Sequence, residues 1–111
     1  MLIWKTKHIL HIPLSRFVNG EMEMLEIDDL LDELFNKLEE NGIEGFYITR
    51  AIGFYRSRSY PELLLTVYSN RTNIVEAIFE EWFRAHNGVL GQEAFSYETN
   101  NRLHIIRLDD S

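Results

Sequence analysis

Residues 43–70, with the sequence IEGFYITRAIGFYRSRSYPELLLTVYSN, combine several arginines with several aromatic rings. The planar guanidinium of arginine binds carboxylate or phosphate groups and stacks on tyrosine or on a nucleic-acid base. Sheet surfaces that combine aromatic rings with arginines bind single-stranded RNA by stacking. The segment therefore predicts a surface for a small anionic ligand or for RNA, with these candidate residues: Arg50, Tyr55, Arg56, Arg58, Tyr60 and Glu93.

Arg50 also has a structural interpretation. On a regular strand it shares a face with Ile48 and Ile52, and a charge among apolar neighbours must reach water or pair with a carboxylate. Glu93 and Glu98 lie on or next to a predicted strand and would be suitable partners. The RNP1 string of RRM domains is absent, so this class of RNA-binding domain is not predicted.

Catalytic and metal-binding motifs are not evident in the sequence. His8 and His11 lie three residues apart on a predicted strand, which points them to opposite faces, and no HxxxH or HExxH pair occurs. The GxSxG, GxxxxGK[ST] and GxGxxG motifs are absent, and there is no cysteine. We therefore predict no catalytic residue, metal or cofactor. If the chain is an enzyme, the acid–base candidates are Glu93, Glu98, His8 and Tyr55.

The charge of the chain is unevenly distributed. The 111 residues have a net charge of −7, yet residues 1–20 carry +3, residues 21–44 carry −9 and residues 45–71 carry +3. The overall charge disfavours unspecific nucleic-acid binding, whereas the basic segments allow a local basic stripe. Without a signal-peptide pattern or an apolar run long enough to cross a bilayer, we expect a cytoplasmic protein with no membrane partner.

Apolar periodicity predicts the secondary structure that must position these side chains. Strict alternation of apolar and polar residues predicts a first strand. Apolar residues spaced three and four apart predict a helix, which the Asn41-Gly42 pair should end. A second helix would be capped by Asn70 or Thr72 and ended by Asn87-Gly88. The predicted strands and helices are strand 2–14, connection 15–24 with an Asn19-Gly20 turn, helix 26–40, strand 45–56, a short hairpin loop SRSYP, strand 62–69, the second helix, and two strands in 94–108 joined at Asn100-Asn101.

This order predicts a single α+β domain over residues 1–111. The succession of strand, helix, two strands, helix and strand is that of the ferredoxin-like βαββαβ sandwich, an antiparallel sheet with two helices on one face. The last strand of the chain is an extra C-terminal addition to this pattern.

Two short segments carry a resemblance to a known family. ELLLTVYSN, which follows Arg58, and LGQEAFSYE, together with the helix between them, resemble an uncharacterised bacterial family, a domain of unknown function with ferredoxin-like or dimeric α/β-barrel architecture. The resemblance covers roughly half of the chain. It implies this fold and assigns no activity.

These observations lead to a functional prediction with two alternatives. Because no catalytic constellation is evident, we predict a small non-enzymatic interaction or regulatory protein. The alternatives are an RNA-binding regulator that uses the Arg/Tyr surface, and a small-molecule enzyme or binder of the dimeric α/β-barrel type, with a pocket between sheet and helices.

Assembly is predicted from the side chains that point away from the helices. Leu64, Thr66 and Tyr68 alternate with core positions on the third strand, and Tyr47 and Tyr55 do the same on the second. A contiguous apolar patch with tyrosines is typical of an association surface. We therefore expect a homodimer or a larger closed oligomer.

Overall fold

The protein forms a five-stranded antiparallel sheet with two helices packed against one face. The computed structural model describes residues 1–108. The helices are α1 (Asp28–Glu40) and α2 (Thr72–Leu90), and the strands are β1 (Thr6–Pro13), β2 (Ser15–Val18), β3 (Glu21–Met24), β4 (Gly45–Tyr55), β5 (Arg58–Ser69), β6 (Ala94–Thr99) and β7 (Arg102–Arg107). The strand order in the sheet is β4-β5-β1-β6-β7, and β2 and β3 form a separate two-stranded sheet.

The strand order confirms the predicted α+β, ferredoxin-like fold. β1 lies between β5 and β6, with antiparallel pairing on both sides. β7 pairs with β6 and extends the sheet at one edge, as expected for the extra C-terminal strand. Neither helix in residues 1–108 is long and apolar enough to span a bilayer.

The core lies between the helices and one face of the sheet. Leu34 and Leu38 of α1 and Phe79 of α2 are fully buried, and they meet Leu10 and Leu65 from the two central strands. The predicted apolar stripe of α1 therefore packs on the sheet. Within residues 1–108, no helix packs on the other face of the sheet, which we call the open face.

The segment 15–24, predicted as a connection, is a β-hairpin. Asn19 and Gly20 both adopt positive φ angles, 54° and 80°, as the two central residues of a tight hairpin turn require. The turn was predicted correctly, but the strands on either side of it were not. They are only four residues long, and β3 alternates glutamate with methionine, which gives a weak strand signal.

The hairpin between β4 and β5 is longer than predicted. Its turn is Arg56-Ser57, with φ angles of 49° and 64°, so the strands pair up to Tyr55 and Arg58. The residues SRSYP therefore belong largely to β5 and not to a loop. The predicted turn at Asn100-Asn101 is confirmed by φ angles of 47° and 69°.

The predicted limits of α2 are wrong at both ends. Arg71 occupies the N-cap position without a side-chain cap, and its N–H donates to Ser69 Oγ at 3.2 Å. The helix continues through Asn87-Gly88 and ends at Leu90, where Gly91 adopts φ 64°. Asn87 lies inside the last turn of the helix. Its side-chain oxygen accepts a hydrogen bond from the Gln92 N–H, just beyond the helix end.

The first strand begins at Thr6, four residues later than predicted. The Asn70 side chain holds the preceding segment instead, because its amide donates to the Ile3 carbonyl and its oxygen accepts from the Lys5 N–H. Within β1 the predicted alternation holds: His8, Leu10 and Ile12 are buried under the helices.

Candidate functional site

A histidine between two carboxylates lies at the centre of the open face. His11 Nε2 lies 2.8 Å from Glu98 Oε2, and His11 Nδ1 lies 3.5 Å from Glu62 Oε1. The three residues come from the adjacent strands β1, β6 and β5. Their side chains are between 24% and 30% exposed, so they are sheltered but reachable from solvent. We refer to them as the His11 cluster.

The two carboxylates favour the charged form of the imidazole. The hydrogen bond with Glu62, and then that with Glu98, raise the pKa of His11 above its ordinary value of 6.5, although partial burial opposes the shift. A protonated His11 cancels only one of the two negative charges. The cluster therefore keeps a net negative charge whether His11 is protonated or neutral.

A groove of about 820 Å³ opens beside the cluster. Its lining includes His11 and Glu62 together with the aromatic rings of Phe17, Tyr55 and Tyr60. The β2–β3 hairpin brings Phe17 into contact with Tyr60, with the ring centres 5.9 Å apart in an edge-to-face arrangement. Carboxylates next to aromatic faces form a site suited to a cationic, partly aromatic molecule.

The structure brings together some of the predicted binding residues and separates others. Tyr55, Tyr60 and Glu93 line the groove. Arg56 and Arg58 lie at its margin, where their guanidinium groups stack on aromatic rings that line it. The Arg56 guanidinium lies 5.1 Å from the ring centre of Tyr55, and that of Arg58 lies 5.3 Å from the ring centre of Phe17.

Arg50 lies on the other face of the sheet, opposite Leu63 of β5. It is exposed, and within residues 1–108 it has no ion pair with Glu93 or Glu98. The predicted pairing is not formed because β5 and β1 lie between β4 and β6. Water solvates Arg50 instead, since its apolar neighbours Ile48 and Ile52 are exposed as well.

Of the acid–base candidates, His8 is the one that lies far from the groove. It is fully buried under α2, with Ser69 Oγ 3.3 Å from its Nε2 and Thr99 Oγ1 3.4 Å from its Nδ1. Burial lowers the pKa of His8, and the negative charge of Glu76 opposes that shift only in part. Among residues 1–108, no group of three His, Cys, Asp or Glu side chains could hold a metal ion.

Sequence reasoning missed His11 and Glu62 as site residues. The alternation of β1 places His11 on the face away from the buried His8, which is the open face. Glu62 alternates in the same way with buried residues of β5. Their meeting depends on the pairing register, in which Glu62 lies opposite Pro13, two residues from His11.

Comparison with solved structures finds phage SAM lyases among the proteins that share this fold. A phage SAM lyase in its apo state matches with a TM-score of 0.63 and 13% identity, covering 96% of this chain and 91% of its own. A phage SAM lyase in complex with S-methyl-5′-thioadenosine matches with a TM-score of 0.60 and 10% identity, covering 96% and 92%. No protein-family model matches the chain, and no curated protein matches it significantly in sequence.

The solved structures found also include a member of an uncharacterised family. A DUF3240 family protein from Shewanella baltica is 14% identical, with a TM-score of 0.43 and coverage of 96% of this chain and 92% of its own.

The lyase structures contradict the prediction of a non-enzymatic interaction or regulatory protein, because neighbours that share nearly the whole fold are enzymes. That prediction rested on the absence of a local catalytic motif. A site assembled across three strands, such as the His11 cluster, leaves no such motif in the sequence.

Proposed function

We propose that the protein is a lyase that cleaves S-adenosylmethionine and releases S-methyl-5′-thioadenosine. The observation that carries the proposal is the His11 cluster, with its two carboxylates beside an aromatic groove. The fold that presents the cluster is shared over 96% of the chain with a phage SAM lyase. The predicted pocket between sheet and helices is not part of the proposal, because fully buried side chains fill that layer.

The chemistry of the groove matches the proposed substrate. S-adenosylmethionine carries a permanent positive charge on sulfur, which the carboxylates of Glu62 and Glu98 attract. The rings of Phe17, Tyr55 and Tyr60 offer faces for stacking with adenine or for a cation–π contact with the sulfonium group. The product S-methyl-5′-thioadenosine is neutral, so the electrostatic attraction is lost when the reaction is complete.

The bond that breaks is the one between sulfur and Cγ of the methionine part, and sulfur keeps both electrons. As this bond breaks, either the substrate's own carboxylate attacks Cγ and closes a ring, or a base takes a proton from Cβ and a double bond forms between Cβ and Cγ. Ring closure needs no protein base, whereas elimination does. Because both carboxylates of the cluster are engaged with His11, we assign them a binding role and favour ring closure.

This role determines how a variant should behave. The positive charge on sulfur disappears during cleavage, so a carboxylate stabilises the bound substrate at least as much as the transition state. Glu62→Gln should therefore raise KM about tenfold, as expected for the loss of one charge interaction in a partly exposed site, and change kcat little. A loss of kcat of about 100-fold or more would assign Glu62 the role of the base instead.

The test is to incubate the purified protein with S-adenosylmethionine and to follow S-methyl-5′-thioadenosine by liquid chromatography. The two conceivable carbon fragments are isomers, so NMR must identify the one that is formed. His86→Asn is the control variant and should keep the activity of the wild type. It removes a histidine that pairs with a carboxylate, Glu33 at 3.0 Å, on the helical side of the protein and outside the groove. If the wild type forms no S-methyl-5′-thioadenosine above the uncatalysed background, the proposed function is wrong.

The partners and the location of the protein are separate from its proposed substrate. A homo-oligomer is proposed on the observations of the next subsection. A small anionic ligand as partner, RNA as partner and a cytoplasmic location stay predictions that the structure does not test.

A further inference from the structure

One strand of the hairpin β4–β5 displays an apolar and basic surface that the rest of residues 1–108 leaves largely exposed. Ile48, Ile52 and Phe54 are 42%, 66% and 80% exposed, and Arg50 lies among them on the same side of β4. We call these four residues the basic strip. Residues 45–61, which include the strip, contain three arginines and no acidic residue. Large apolar side chains exposed in a row are typical of an association surface.

A second surface of the chain has the complementary character. Strand β3 and the residues that follow it, 21–29, contain five acidic residues and no basic one. Met22 and Met24 are 43% and 61% exposed between the glutamates of β3. We call residues 21–29 the acidic hairpin. Within the described chain, β3 pairs with β2 alone, so the outer edge of β3 carries backbone N–H and C=O groups that no neighbouring strand pairs.

Among residues 1–108, ion pairs leave most of the charge on both surfaces unpaired. Arg56 and Arg58 stack on aromatic rings, and Arg50 has no ion pair within residues 1–108. In the acidic hairpin, Glu23 is the residue with an ion pair within that range, and its partner is Arg16 at 2.8 Å. We infer that the basic strip of one molecule docks on the acidic hairpin of a second copy of this chain.

The two surfaces are different, so the contact is head-to-tail. Each molecule then offers one free basic strip and one free acidic hairpin, and successive copies close into a ring if the rotation between them allows it. Methionine side chains adapt their shape to the isoleucine and phenylalanine side chains that they meet. The opposite charges orient the two copies and make the contact sensitive to salt. This inference does not depend on the proposed lyase activity.

The test is light scattering on the full chain at micromolar concentration with variants of each surface. Ile52→Asp disables the basic strip, and Met24→Lys disables the acidic hairpin. Leu103→Asp is the control, because Leu103 is 57% exposed on β7, away from both surfaces. We expect the wild type and the control at a multiple of the 13.2 kDa chain mass, and each of the two other variants at the chain mass.

Mixing the two interface variants gives the sharpest result. Ile52→Asp keeps an intact acidic hairpin and Met24→Lys keeps an intact basic strip, so an equimolar mixture should form a heterodimer of twice the chain mass. The replaced side chains, Ile52, Met24 and Leu103, are all exposed, so each variant should unfold thermally close to the wild type. If a charged variant does not fold, Ile52→Ser and Met24→Ser replace it.

Three outcomes would overturn the inference. The first is a wild type that stays at the chain mass at every concentration. The second is an assembly that Leu103→Asp dissociates while Ile52→Asp remains assembled, which would place the interface on the open face. The third is a mixture of the two interface variants that stays monomeric.

Discussion

Replacing His11 by glutamine removes the imidazole that links three strands of the open face. Its shorter contact, 2.8 Å to Glu98, has the length of a charge-assisted hydrogen bond, which contributes about 1.5–3 kcal/mol to stability. The groups are 27% and 30% exposed, so solvent screening reduces this contribution. We expect His11→Gln to lower the free energy of unfolding by about 1–2 kcal/mol at about pH 5.5, where the imidazole is protonated.

The loss should depend on pH in a direction that the structure specifies. The pKa of His11 is raised in the folded state, so its contribution is fully present below the unfolded pKa of 6.5 and is lost as the pH rises through the folded pKa. The gap between wild type and His11→Gln should therefore shrink from about pH 5.5 to about pH 9. His8 has the opposite sign: its folded pKa is lowered, so its contribution is fully present above 6.5 and is lost as the pH falls through the folded pKa.

Urea unfolding followed by tryptophan fluorescence measures the stability loss in His11→Gln and its dependence on pH, because Trp82 is buried in the core. For a chain of this length, each 1 kcal/mol corresponds to a shift of about 4 °C in the melting temperature, so thermal unfolding is an independent check. A gap between wild type and His11→Gln that is constant or grows with pH would refute the assigned charge state of the cluster.

Two further predictions concern the fold. Leu34→Ala in the fully buried stripe of α1 should cost about 2–5 kcal/mol in urea unfolding, whereas the exposed Asp32→Ala should stay within about 0.5 kcal/mol; equal effects would mean that this face of α1 is not core. Gly91→Ala should lower the melting temperature by about 4 °C or more, because Gly91 has φ 64° and an added Cβ would lie 3.0 Å from the Arg16 side chain. Gly88→Ala is its control, since an added Cβ there meets nothing within 4 Å inside a helix; a Gly91→Ala protein as stable as this control would contradict the reasoning.

The parts of the fold that were predicted correctly are those that depend on local sequence. The conformation of α1 is specified by the spacing of its own apolar residues. The Asn19-Gly20 and Asn100-Asn101 turns are likewise specified by the two residues that form them. The end of α2 was missed because the signal of Asn87-Gly88 is overridden: the helix gains further packing from Leu90, which is fully buried.

The site was harder to predict because its residues meet through tertiary pairing. His11 and Glu98 are 87 positions apart in sequence and come together only because β6 pairs with β1. The arginine-rich hairpin gave the stronger local signal, but its Arg50 lies on the opposite face from the groove. Sequence alternation shows which residues share a face of one strand, and it does not show which neighbouring strand supplies the partner.

A crystal structure with S-methyl-5′-thioadenosine tests the central claim most directly, because it locates the site independently of turnover. We predict that the ligand lies in the groove beside the His11 cluster, in contact with Tyr60 or Phe17 and within reach of the Glu62 carboxylate. A ligand bound at Arg50 and Ile52 of the basic strip, without contact to Tyr60, Phe17 or Glu62, would contradict the assignment of the groove as the active site.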